Sequence, residues 1–192
     1  MSKKSQKVKP IETVYNGYKF RSRLEARWAV FMDVMGWPYE YEPEGYDLGD
    51  AGYYLPDFWI PINPAENATG HEGAGYFIEV KGQNPSASAK KKIAELAKMT
   101  KHTVKLFVGS PWKFKYAACH HLHADDFTGK IRYQKGFEKD GFPMGIVAFH
   151  TQIMWDHTGN SVHNIEEAIA AAKQARFEHG ETPQARRFEH AY

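Results

Sequence analysis

The fold class this sequence predicts is α/β: a small mixed β-sheet flanked by helices, with a C-terminal extension. Three observations carry that expectation. Short alternating or continuously apolar runs recur through the first 110 residues, two helical stripes interrupt them, and Gly- and Pro-rich segments mark the joins. At 192 residues, 42% of them hydrophobic, the chain has material for one packed domain with a modest appendage.

The elements follow in order. Residues 1–12 read as a flexible basic arm. In "VYNGYKFRS", Asn16-Gly17 between aromatic and β-branched residues predicts a two-residue hairpin. A helix is expected from Ser22 to Met35, with Leu24, Trp28, Phe31 and Met35 on one stripe and Gly36 as its stop. "WPYEYEPEG" alternates as a short strand, with Tyr39 and Tyr41 on one face and Glu40 and Glu42 on the other. "YYLPDFWIP" reads as a further strand, with Pro56 pointing to an edge, an end or a bulge. Residues 61–75 form a Gly- and Pro-rich loop, and "GYFIEVKG" is a strand. A helix capped by Ser88 runs to about Thr100, with Ala89, Ile93, Leu96 and Ala97 inward, and "TVKLFVG" is a buried strand. Beyond Ser110 the pattern weakens to one strand at Gly145–His150 and one helix at Asn164–Phe177. The organisation is therefore an arm (1–12), a core (13–110) and an extension (111–192) that either completes the domain or is appended to it.

Composition narrows the function classes. No apolar run approaches 18 residues, which argues against a membrane-spanning helix, and the lysine-rich N-terminus is no secretory signal. The single Cys119 rules out an intramolecular disulfide framework and fits a reducing cytoplasm. The formal charge of +2 is uneven: residues 1–10 carry four lysines and no acid. A basic arm suits phosphate contacts, or simply a solubilising tail.

Four charged residues fall inside apolar elements: Glu25, Asp57, Glu79 and Lys81. On the strand 75–82, Phe77, Glu79 and Lys81 share one face while Tyr76, Ile78 and Val80 share the other. Two carboxylates from neighbouring strand ends, with the Val80 carbonyl between Glu79 and Lys81, suit a hard divalent cation. The lysine would then stand beside an attacking water or meet charge growing on phosphorus. Each residue has an ordinary alternative. Ser22-x-x-Glu25 is a capping box, Asp57 after proline is turn chemistry, and Glu79 with Lys81 is a common surface pair. Arg23 and Arg27, an i, i+4 pair, and Lys90 and Lys91 are candidates for phosphate contacts, or solvated helix charge. The cluster Cys119, His120, His121, His123, Asp125 and Asp126 matches no standard zinc spacing.

Together "FRSRLEARWAVFMDVMG", "YEYEPEGYDL", "YYLPDFWIP" and "YFIEVKG" resemble phage and prophage members of the PD-(D/E)xK nuclease superfamily, over roughly Val14 to Gly109. The resemblance implies a restriction-endonuclease-like core and metal-dependent endonuclease activity on DNA through a metal-activated water. Its cofactor would be Mg²⁺, with Mn²⁺ as a substitute, and its setting the cytoplasm of a bacterial host. Position by position, it makes Asp57 and Glu79 the metal-binding acids, Lys81 the catalytic lysine and Glu25 the helix glutamate. Glu79 follows Asp57 by 22 residues, and that interval holds the loop where specificity would be built. Two alternatives stay open: a Holliday-junction or branched-DNA resolvase, which would need a homodimer for paired cuts, and a DNA-binding recombination module that works through a phage protein partner.

Overall fold

In the computed structural model the described residues are 10–62, 75–121, 124, 127 and 165–177. The hairpin forms where Asn16-Gly17 places it. Strands β1 (Thr13–Tyr15) and β2 (Tyr18–Phe20) pair antiparallel. Asn16 and Gly17 both hold positive φ, 47° and 82°, the mirror-image turn that matches strand twist.

Helix α1 (Arg23–Val34) starts at Ser22, whose Oγ accepts the Glu25 N–H at 3.2 Å, and stops before Gly36 at φ 70°. Trp28, Phe31 and Met35 are buried and Leu24 is half-buried. Burial extends beyond that stripe to Val30, Met32 and Val34. Helix α3 (Ile165–Gln174), which overlaps the helix expected at 164–177, packs on α1 with Ile165, Ala168 and Ala172 fully buried. The two alanines permit close approach of the helix backbones.

The central sheet has five strands in the order β3 (Glu40–Tyr41), β6 (Phe58–Pro61), β7 (Gly75–Lys81), β8 (Thr103–Ser110), β9 (Lys113–Cys119). All neighbours are antiparallel except β7 and β8, which run parallel because helix α2 (Ala87–Thr100) carries the chain back across the sheet. Strands β4 (Tyr46–Asp47) and β5 (Tyr53–Tyr54) form a separate hairpin around a single 3-10 turn, Gly49–Ala51. The expected alternation of β7 holds. Tyr76, Ile78 and Val80 join the cluster under α1, and Phe77 joins Ile93, Leu96, Val104 and Leu106 under α2. Each fully buried side chain of this size contributes about 1.5–3 kcal/mol of transfer free energy, so both faces anchor β7 firmly.

Several boundaries differ from the expectation. "YYLPDFWIP" splits into β5 and β6, because Pro56 has no N–H to give a ladder. The alternation at 39–42 breaks after Tyr41, where Glu42 turns left-handed at φ 47°. Ser86, rather than Ser88, caps α2, its Oγ accepting the Ala89 N–H at 3.2 Å, and Ala89 is only half-buried. Strand β9 lies in the stretch that showed no clear pattern, where lysines and alanines blur the alternation. Most of the arm, most of the 61–75 loop and the strand at 145–150 lie outside the described residues.

Candidate active site

Asp57 enters just before β6, and Glu79 and Lys81 close β7. The register of β6 and β7 pairs Phe58 with Ile78, so Asp57 and Glu79 meet one step further along. Both carboxylates are 1% exposed, an unfavourable place for charge unless it is compensated. Lys81 supplies part of that compensation. Its Nζ forms an ion pair with Glu79 Oε1 and lies 3.9 Å from Asp57 Oδ2. The Val80 N–H donates to Asp57 Oδ2 at 2.7 Å, so the backbone between Glu79 and Lys81 also fixes Asp57.

Arg21 supplies the rest. Its Nη2 donates to Asp57 Oδ1 at 2.9 Å, and its Nε pairs with Glu42. Glu42 is held in turn by its own N–H, which donates to the Asp57 carbonyl at 2.9 Å. Glu25 stands behind this group. Its carboxylate accepts from the Ser22 hydroxyl at 2.7 Å, the Arg21 N–H at 3.1 Å and the Tyr41 hydroxyl at 2.7 Å. The capping role of Glu25 is thus real, and it coexists with membership of the site, since the Glu25 charge is felt at Asp57.

Four acids, Glu25, Glu42, Asp57 and Glu79, surround two bases, Arg21 and Lys81, leaving the group formally at −2. The imbalance shows in the acid-base properties. Asp57 is pushed well above the usual carboxylate range, by burial first and by the Glu79 charge second, with Lys81 pulling the other way. Burial would lower Lys81, but Asp57 and Glu79 outweigh it and hold the side chain as an ammonium. Tyr54 packs beside Glu79, and burial and that charge drive its phenol far up. Yet the Tyr54 hydroxyl and Glu79 Oε2 are both buried with no hydrogen bond of good geometry. A surplus of two negative charges and an orphaned carboxylate oxygen fit a hard divalent cation. Among the described residues, no three His, Cys, Asp or Glu side chains are gathered closely enough to form a cage by themselves.

Arg23 opens α1 and is half-buried. Arg27 lies over the Trp112 ring at 5.5 Å, and Lys90 and Lys91 sit on the first turns of α2. Gln83, beyond the end of β7, is exposed. His120 and His121 stack on one another at 4.5 Å, and burial pushes the Cys119 thiol up to about 11, so it is no ready nucleophile. His123, Asp125 and Asp126 lie outside the described residues. Sequence reasoning did not give Arg21, Tyr41, Glu42 or Tyr54 a role. Arg21 carried a signal, a cation one residue before the helix cap. Glu42 carried none, because its left-handed backbone is set by tertiary contacts.

Comparison with protein-family models, with curated proteins and with solved structures finds no match for this chain.

Proposed function

We propose that this chain is a divalent-metal-dependent DNA endonuclease of the PD-(D/E)xK type with a restriction-endonuclease-like core. The observation that carries the reading is Lys81 placed between two buried carboxylates, Asp57 and Glu79, at adjoining strand ends. The mixed five-stranded sheet with helices packed on it accords with such a core.

Asp57 and Glu79, with the Val80 carbonyl, would hold Mg²⁺ or Mn²⁺, and Glu25 would support the ion or a second one. The cation supplies Lewis-acid stabilisation of a phosphoryl group. The chain's own groups do the positioning. Arg21 and the Val80 N–H fix both oxygens of Asp57 before substrate arrives. Lys81, already an ammonium, would donate to a phosphate oxygen and stabilise the hydroxide formed as the attacking water gives its proton to solvent, so growing charge meets a preorganised donor. Tyr41 ties the cap of α1 to Arg21 and keeps that cation aimed at Asp57.

Supercoiled plasmid and a labelled four-way junction, incubated in Mg²⁺, Mn²⁺ or EDTA, test the reading. Metal-dependent cutting that both Asp57→Ala and Lys81→Ala lower by at least a hundredfold supports it, with Lys81→Ala still binding DNA. Preference for the junction by a dimer would assign a resolvase. Folded protein that cuts neither substrate, alone and in every metal, would shift the assignment to a partner-dependent DNA-binding module.

A further inference from the structure

We infer that a pocket beside the candidate active site takes an unpaired nucleobase of the strand being cut, an inference that rests on the nuclease reading. Glu40 pairs in register with Trp59, and Trp59 with Phe77. Residues directly opposite one another point to the same side of a sheet, so these three form one row across it. Asp57 and Glu79 form the next row, two residues along β6 and β7, about 7 Å away. The β4–β5 hairpin spans both rows. Tyr46 stands edge-on to Phe77 at 5.8 Å, and its register partner Tyr54 sits beside Glu79. His102 meets the Trp59 ring at 4.8 Å and closes the far side. The recess is open to solvent and has a volume of about 340 Å³, room for one planar ring system.

Its chemistry selects a base over a backbone. Tyr46, Trp59, Phe77 and His102 give it aromatic walls on one side, Pro43 and two carboxylates complete it, and no lysine or arginine is among the described residues that line it. Glu40 and Glu44 stand at the rim, with Glu44 oriented by the Tyr46 hydroxyl at 2.6 Å. Carboxylates there repel phosphate and accept hydrogen bonds from an exocyclic amino group. Cytosine offers that amino donor where thymine presents a carbonyl. Only an unstacked base can enter such a recess, so the substrate class is DNA with unpaired nucleotides next to the cut, at a branch, a bubble or a single-stranded end.

The test is the anisotropy of fluorescein-labelled dC12 and dT12 bound to the full chain in EDTA, where cleavage plays no part. Tighter binding of dC12 than dT12 by at least fivefold is the expected result. Trp59→Ala should weaken dC12 binding by roughly tenfold through lost stacking. Trp59 is part of the sheet, so the exposed double variant Glu40→Gln/Glu44→Gln supplies an independent reading and should erase the preference for dC12. Equal binding of the two strands, or binding of neither, overturns the pocket assignment. So does displacement of dC12 by millimolar n-butylguanidinium from wild type but not from the double variant, which would assign the recess to an arginine of a partner protein. Plasmid cutting with equal strand binding would sink the pocket and leave the nuclease reading standing. A dC12 preference with no cutting in any metal would do the reverse.

Discussion

Asp57 is a carboxylate enclosed by protein with a second carboxylate beside it, and that conflict has a thermodynamic signature. Its ordinary value lies near 3.8, and folding raises it. An acid raised on folding favours the native state below its unfolded value, and that contribution is lost as pH rises through the native one. The protein therefore carries a penalty at neutral pH, one that the proposed cation would relieve. Asp57→Asn should raise the melting temperature in EDTA, by about 1 kcal/mol of stability or more, and the gap to wild type should widen from about pH 4 to pH 8. Scanning calorimetry across that range checks it. A variant less stable than wild type at pH 8 would mean that the Arg21 and Val80 contacts outweigh the repulsion.

At the scale of elements, local chemistry was legible and its tertiary consequences were not. Asn16-Gly17 fixed the hairpin, Ser22 and Gly36 bounded α1, and period-2 alternation assigned both faces of β7. Asp57, Glu79 and Lys81 stood out because charge interrupted those apolar patterns, and the structure brings them together with Glu25 nearby. Arg21 and Glu42 could not be placed the same way, since their roles depend on a turn and a strand end that meet only in three dimensions. Nor did the stripe of α1 reveal its second covered side. Ala172→Glu on α3 tests that packing. A carboxylate forced against α1 should cost about 3 kcal/mol or more, read as a lower urea midpoint with an unchanged slope. An unchanged midpoint would show that α3 contributes little to holding α1 in place.

For the whole molecule, the sheet separates two apolar clusters, and the candidate site sits where β6 begins and β7 ends, in reach of the start of α1. Among the described residues no helix is long and apolar enough to cross a membrane. Residues 1–10 carry four lysines and no acid, so on the proposed nuclease reading these lysines should dominate the non-specific attraction to DNA. Removing residues 1–9 should reduce the slope of log affinity against log salt by up to about 3 to 4, without abolishing metal-dependent cutting. A slope that stays the same would place the phosphate contacts elsewhere, with Arg23, Arg27, Lys90 and Lys91 the next to replace.

The pairing of α1 with α3 also sets a clock. Helix α1 is complete at Val34, while the helix that covers it begins only at Ile165, some 130 residues later. At ordinary elongation rates the ribosome needs on the order of ten seconds to make that stretch. Throughout that interval the nascent chain carries an apolar helix without its cover, directly behind the Arg21 and Glu25 that support the site. A chaperone has its opening then, and the packing of α1 stays incomplete until Ala172 has been made.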